Sequence, residues 1–283
     1  MLGTGGFHML GGDSGQVFGS TTLYSAVRAV AAHADRVDVL TSDYVAVAQH
    51  ALAVESVLAK GLPSAFIGPW GTPGAGASAA DPLLRYSEPS DGSTQLNGLA
   101  LQLQVVARMI AARQRSGIGA RRQIFMVTLG GFDNHSDLLR QHGSLMARLD
   151  HAIAYFQNCL ASMPDGDLRD QVTTFTASEF GRTLMNNGDG ADHGWGGHHF
   201  VVGGGVKGGE VYGRFPQFMA FDGNGEFFSD QLLKGGVLLP GLSVDHLAFT
   251  LGKWLGVGEA DLLSWLPYIG AFESASHDIG FYS

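Results

Sequence analysis

Two β-prone stretches on either side of a long amphipathic segment most constrain the fold of this chain. Residues 122–130 read RQIFMVTLG, a near-continuous apolar run typical of a strand that is buried on both faces. Residues 171–178 read QVTTFTAS and predict a second strand, and residues 137–162 between the two have the apolar spacing of a helix. Because a strand–helix–strand order favours parallel strands joined by a right-handed crossover, we expect an α/β fold with three α/β/α layers and a mostly parallel sheet.

The other segments divide the chain into an N-terminal part and a core. Residues 62–93 are rich in Gly, Pro, Ser and Ala, which indicates a long irregular, lid-like loop. We expect a helical and irregular N-terminal part over 1–95 and a core α/β domain over 96–283. Because no strand precedes the glycine-rich start, we also expect that an N-terminal portion has been lost. Further helices are predicted over 20–34, 43–60, 95–116 and 244–257, and a third short strand is predicted over 199–205.

Charge and composition exclude several classes of function. Lys and Arg number 17 against 26 Asp and Glu, for a formal net charge of −9, and no basic run occurs, so no nucleic-acid partner is expected. No stretch approaches the roughly 20 apolar residues of a membrane span, and the first residues lack the pattern of a secretory signal. The single cysteine, Cys159, excludes an intrachain disulfide, and its helical apolar surroundings predict a buried thiol.

Acidic residues and histidines gather just beyond the predicted strands. Six of the 11 histidines lie between His135 and His199, and Asp133 and His135 follow strand 122–130 directly. In an open α/β sheet the carboxyl ends of the strands form the crevice that holds functional residues. Carboxylate and imidazole groups that meet there indicate a divalent-metal site, and the alternative is a turn-forming aspartate beside a surface histidine.

Glu179 and Arg182 follow the second predicted strand. A carboxylate at the tip of an apolar strand needs a partner, because burial of an unpaired charge is costly. Arg182 could form a structural ion pair with Glu179, or it could clamp an anionic oxygen of a substrate, for which its planar fork is suited. On the second interpretation Arg182 is a catalytic residue and Glu179 is a metal ligand.

A third group of candidate ligands lies in the glycine-bracketed loop NNGDGADHGWGGHH. Asp192 and His193 are predicted metal ligands, with a capping role for His193 as the alternative. His198 is a further candidate ligand, although one histidine of the pair at 198 and 199 is expected to point into the core. The chain contains no G-x-S-x-G element, so a serine hydrolase with a nucleophile elbow is not supported.

These motifs resemble a known bacterial family. GGFDNHSD at 130–137 and the stretch from VTTFTASEFGRT to GGEVYGRFP, at 172–216, are similar to the domain-of-unknown-function 1501 family. The resemblance extends from about residue 96 to about residue 272. That family is placed in the alkaline-phosphatase-like superfamily, with the sulfatases and the cofactor-independent phosphoglycerate mutases.

The resemblance implies a particular metal chemistry. Superfamily members hold two divalent ions, usually zinc, manganese or calcium, around a nucleophile. By position, Asp133, His135 and His193 would bind one ion, and Glu179 would belong to the second. Phe180 stands where these enzymes generally have another ligand, and residues 1–50 offer no strand that ends in a nucleophile.

Two functions are therefore carried forward from the sequence. The first is a metal-dependent hydrolase that acts on a phosphate or sulfate ester, either a small molecule or a group on a polymer, with one or two divalent ions. The second is a degenerate, non-catalytic binding or assembly protein on the same fold. The resemblance implies a periplasmic or exported location for full-length family members.

Overall fold

The computed structural model describes residues 61–114, 121–217, 219–221, 227–228, 232–233 and 235–283, together with the single residues 25, 29 and 49. The helices predicted over 20–34 and 43–60 therefore fall almost wholly outside the described residues. The described α-helices are α1 Gly98–Ala111, α2 Leu138–Ala161, α3 Val244–Trp254 and α4 Glu259–Trp265. These confirm the helices predicted over 95–116, 137–162 and 244–257, with shorter ends. Among the described residues, no helix has the length and apolar character that a membrane span requires.

The described strands are short and form two-stranded sheets. They are β1 Arg85–Ser87, β2 Thr94–Leu96, β3 Thr174–Phe175, β4 Gly181–Asn186, β5 Ala191–Gly194, β6 Val201–Val202, β7 Met219–Phe221, β8 Phe227–Phe228, β9 Leu232–Leu233 and β10 Val237–Leu238. The pairs are β1–β2, β3–β6, β4–β5, β7–β8 and β9–β10, and every one is antiparallel. The prediction of three α/β/α layers around a mostly parallel sheet is therefore wrong.

The segment 122–130 shows why that prediction failed. It forms no strand, and Ile124 and Met126 are 82% and 69% exposed instead of buried on both faces. The carboxamide of Gln102, from α1, accepts a hydrogen bond from the Thr128 N–H at 2.9 Å and donates one to the Thr128 carbonyl at 2.8 Å. A side chain thus satisfies the backbone groups that a neighbouring strand would otherwise bind.

The second predicted strand is also shorter than expected. Of residues 171–178, only β3 is a strand, and its partner is β6, which begins two residues after His199. The pairing is antiparallel, with Thr174 opposite Val202 and Phe175 opposite Val201. The short strand predicted over 199–205 therefore exists, but it runs opposite to its neighbour and not parallel to it.

The chain divides into two compact units, of which unit 1 comprises residues 1–130 and 147–166. The Trp70 indole is buried, and its Nε1 donates to the Ser64 carbonyl at 2.8 Å. The backbone carbonyl of Trp70 accepts a hydrogen bond from the Tyr155 hydroxyl at 2.6 Å. Asn97 is fully buried at the start of α1, where its Oδ1 accepts from two helix N–H groups. The predicted burial of the Cys159 thiol is confirmed, since that residue has no exposed surface.

Unit 2 comprises residues 131–146 and 167–283 and contains the predicted functional motifs. Its C-terminal part has an apolar cluster of Phe249, Leu262 and Ile269, on α3, on α4 and just beyond α4. His246 lies buried on α3, where its Nδ1 accepts a hydrogen bond from the Ser243 N–H at 3.1 Å. This cluster packs α3, α4 and the segment after α4 against one another.

Acid is expected to destabilise the fold through His246. Burial holds its pKa below the ordinary 6.5, and the neighbouring His277 lowers the pKa further, although Asp245 and the Ser243 hydrogen bond oppose the shift. Below pH 6.5 the unfolded chain therefore binds a proton that the folded state still excludes. The free energy of unfolding should therefore fall as pH drops through this range. The H246N variant keeps an acceptor near the position of Nδ1 but cannot become charged. It should therefore reduce the dependence of the free energy of unfolding on pH.

Urea titrations at about pH 8 and about pH 5 measure this effect. H142Q, at an exposed histidine of α2, is the matched control for loss of an imidazole. An H246N protein that loses as much stability on acidification as the wild type does would contradict the assignment.

Candidate functional site

Asp133, His135 and His193 form the one group of potential metal ligands found among the described residues. Their ligand atoms all lie within 4.8 Å of one another. Nε2 of His193 lies 2.6 Å from Oδ1 of Asp133, and Nε2 of His135 lies 3.0 Å from the same oxygen. Two imidazoles therefore point at one carboxylate oxygen, from two segments that are distant in the sequence.

Two structural elements bring these side chains together. Asp133 and His135 lie in the loop before α2, and His193 lies in β5, whose register places it opposite Arg182 of β4. The β4–β5 hairpin needs close backbone approach, and a Cβ on Gly194 would lie 2.8 Å from the Arg182 backbone. Glycine at this position lets the strand that carries His193 approach its partner.

The loop is attached to the hairpin at three places. The Arg182 guanidinium donates to the Phe132 carbonyl, Gly190 packs against the His135 backbone, and Asp189 binds the start of α2. In the last contact, the Asp189 carboxylate accepts from the Asp137 N–H at 2.7 Å. Asp137 has a φ of 51°, a left-handed conformation that aspartate adopts more readily than most residues. The hairpin therefore helps to set the geometry of the loop around Asp133 and His135.

The electrostatics of the triad suit a cation. The His193 hydrogen bond holds the pKa of Asp133 below its ordinary value; desolvation opposes this shift, and the charges of His193 and His135 add to it. The carboxylate is consequently ionised at neutral pH. All three residues are exposed, with 64% of the Asp133 side chain, 51% of the His135 side chain and 45% of the His193 side chain accessible to solvent. Solvent and a solute can therefore reach the group.

The donor set fits a zinc-like ion. Catalytic zinc sites typically have three protein ligands, such as two imidazole nitrogens and one carboxylate oxygen, and a further open position. The bonds from these ligands to zinc are about 2.0–2.2 Å long. Ligand atoms around such an ion lie about 3.4 Å apart, close to the 2.6 Å and 3.0 Å between Asp133 and the two imidazoles. Because all three ligand atoms lie within 4.8 Å of one another, a rearrangement of the side chains alone would admit the ion.

Asp192 lies beside this group on the far side of His135. Its Oδ1 is 3.6 Å from Nδ1 of His135, and it accepts a hydrogen bond from the Asn187 carboxamide at 3.0 Å. The Asp192 carboxylate thus faces Nδ1 of His135, whereas the Asp133 carboxylate faces Nε2 of the same ring. The structure places Asp192 next to the triad without including it among the converging donors.

The structure does not bring Glu179 and His198 into this group. Glu179 is exposed in the turn before β4, and no ion pair joins it to Arg182 among the described residues. The His198 ring stacks on Phe215, with ring centroids 5.3 Å apart and an angle of 13° between the planes. The described residues therefore contain donors for one ion, and the predicted ligand roles of Glu179 and His198 remain predictions.

A comparison with protein families identifies the family of the chain. The family model described as "protein of unknown function (DUF1501)" matches residues 75–264, about two thirds of the sequence. The chain belongs to the DUF1501 family. The resemblance predicted over about 96–272 is thereby confirmed, with both limits earlier in the sequence. No protein of curated function and no solved structure is significantly similar to this DUF1501 protein.

Three residues of this DUF1501 site were not predicted from the sequence. The Phe180 ring stacks on His193, with centroids 3.9 Å apart and planes 4° from parallel, and Asp189 and Gly190 attach the loop to the hairpin. The sequence indicates only that Phe180 cannot bind a metal ion. Nothing in the glycine-bracketed loop identifies His135 as the neighbour of Gly190.

Proposed function

We propose that this DUF1501 protein binds one divalent cation through Asp133, His135 and His193 and uses it to hydrolyse a phosphate or sulfate ester. The observation that carries the proposal is the convergence of two imidazole Nε2 atoms on one Asp133 oxygen, at 2.6 Å and 3.0 Å. Zinc is the best match for these donors, with manganese and calcium as the other candidates. The choice of ester follows from the likeness of the motifs to the alkaline-phosphatase-like enzymes.

The residues of the triad have distinct tasks in this proposal. Asp133 supplies the negative charge that offsets the cation, and its pKa is already lowered by His193. His135 and His193 bind as neutral imidazoles, and the stacked Phe180 ring restrains the orientation of His193. When bound, the ion would polarise an ester oxygen and lower the pKa of a water molecule. The exposure of the triad leaves room for an ester on a small molecule or on a polymer.

A second function is favoured by the number of converging donors. The two-ion arrangement of the alkaline-phosphatase-like enzymes needs a second ligand set, whereas the described residues contain one group. Glu179, the predicted ligand of the second ion, shows no contact with that group. A non-catalytic binding or assembly protein that holds a single cation is therefore the alternative. A periplasmic or exported location is proposed for either function, from the family resemblance alone.

Measurements of metal content and ester turnover test both functions. The wild-type protein, treated with a chelator and then loaded with zinc, manganese or calcium, is expected to bind about one ion per chain and to hydrolyse an aryl phosphate or aryl sulfate. D133N keeps the size of the side chain but removes its charge, and it should lose both properties. D167N, at another exposed aspartate of unit 2, is the matched control, because Asp167 pairs with Arg169 instead.

The possible results separate the two functions. Binding of one ion with turnover that D133N abolishes supports the hydrolase. Binding of an ion without turnover of any ester supports the binding or assembly protein. A wild-type protein that retains no ion at all contradicts the hydrolase and the proposed cation site, and leaves only a binding or assembly protein that works without a metal.

A further inference from the structure

Arg182 joins the two segments that carry the triad. One terminal nitrogen of its guanidinium donates to the Ala191 carbonyl, and the other donates to the Phe132 carbonyl. Phe132 directly precedes Asp133, and Ala191 precedes His193 by two residues. A single side chain therefore holds the backbone on both sides of the site.

Arg182 also contacts the ring that packs on His193. Its guanidinium carbon lies 5.1 Å from the centre of the Phe180 ring, within the range of a cation–π interaction. Phe180 in turn stacks on the His193 imidazole at 3.9 Å. The arginine thus acts on the position of His193 in two ways, through the backbone of β5 and through the stacked rings.

The chemistry of the contacts explains why arginine stands at this position. A planar guanidinium can donate to two acceptors in fixed directions, whereas the ammonium of lysine is a flexible point charge. Both acceptors here are backbone carbonyls, which are fixed parts of the loop and the hairpin. Each terminal nitrogen directs one of its two N–H groups at a carbonyl, whereas in a bidentate anion clamp the two nitrogens would direct parallel N–H groups at the substrate.

We propose that Arg182 is a positioning residue of the cation site, which holds Asp133 and His193 at ligand distance and does not bind the anionic group of the substrate. This inference rests on the proposed cation site, and it replaces the catalytic role predicted for Arg182 from the sequence. Because residues that orient metal ligands typically change metal affinity by 10–100-fold, loss of Arg182 should weaken cation binding by about that factor. Binding of phosphate to the metal-loaded protein should change little.

The test compares R182Q and R182K with the wild-type protein. Zinc affinity is measured by competition with a chromophoric chelator, and the visible spectrum of the cobalt-loaded protein reports the coordination geometry. Inorganic phosphate, titrated into the zinc-loaded protein, reports the affinity for an anion. R85Q is the matched control, because the terminal nitrogens of Arg85 also donate to two backbone carbonyls, those of Ala79 and Thr94, but in unit 1.

Three results support the proposal when they occur together. Zinc affinity falls about 10–100-fold in R182Q and less in R182K, the cobalt spectrum changes, and phosphate affinity at saturating zinc stays within a few-fold of wild type. Unchanged zinc affinity with a large loss of phosphate affinity would overturn it. A wild-type protein that binds no zinc would instead remove the proposed function itself, so the two failures can be told apart.

A crystal structure of the wild-type protein with zinc and phosphate keeps the test decisive even if both variants fold poorly. The Arg182 guanidinium should remain on the Phe132 and Ala191 carbonyls. A guanidinium nitrogen within hydrogen-bond distance of a phosphate oxygen would overturn the proposal.

Discussion

The His193→Ala protein is expected to bind divalent cations at least about 100-fold more weakly than the wild type. This loss of affinity is larger than the loss usually caused by substitution of a residue that only orients a ligand. The substitution removes one of three converging donors and also the ring that Phe180 covers. Asp133 loses its 2.6 Å partner at the same time. The proposed ester hydrolysis should become undetectable. Equilibrium competition with a chromophoric chelator measures the affinity, and aryl ester assays measure turnover.

His198→Ala provides the matched comparison for this experiment. His198 belongs to the same histidine-rich loop and is a ligand predicted from the sequence, but the structure stacks its ring on Phe215. If the described triad is the complete set of protein ligands, H198A should bind the cation as the wild type does. Equal losses of affinity in H193A and H198A would show that the triad is not the complete set of ligands.

Gly190→Ala is expected to have the second largest effect, on stability and on cation binding together. A Cβ at this position would lie 2.4 Å from both the carbonyl carbon and the oxygen of His135, a distance at which the backbone must shift. Overpacking of this kind costs about 1–3 kcal/mol of folding free energy. Because the displaced backbone carries His135, cation affinity should fall as well. Urea denaturation and chelator competition measure the two effects.

Gly208→Ala controls for the removal of a glycine from unit 2. A Cβ there would meet no atom within 4 Å, and the backbone does not have a positive φ. This variant should keep both the stability and the cation affinity of the wild type. A G190A protein as stable as G208A would show that the loop and the hairpin are not packed as the structure describes.

The three triad residues could be selected from the sequence because their chemistry is unusual for their positions. Asp133 and His135 follow an apolar run and are two residues apart, and His193 lies between glycines, so each was a ligand candidate by residue type. Their convergence was expected at the edge of a parallel sheet. The structure achieves it with an antiparallel hairpin and a loop instead. The candidate residues thus followed from chemistry, and the scaffold did not.

The scaffold was mispredicted because an apolar run does not specify its partner. Residues 122–130 have the composition of a buried central strand, but the Gln102 side chain satisfies the Thr128 backbone, and Ile124 stays exposed. A glutamine on a helix gives no signal in the sequence that it will bind a backbone segment 26 residues later. The helices were better predicted, since the periodicity that identifies α1, α2 and α3 is local.

The buried thiol of Cys159, the single cysteine of the sequence, is an intrinsic reporter of opening in unit 1. Cys159 has no exposed surface, burial raises its pKa to about 11, and its Sγ lies 3.4 Å from the Pro69 carbonyl. Since thiolate is the reactive form, alkylating reagents can modify Cys159 only when unit 1 opens around it. The rate of labelling by such a reagent therefore measures how often unit 1 opens, without any engineered probe.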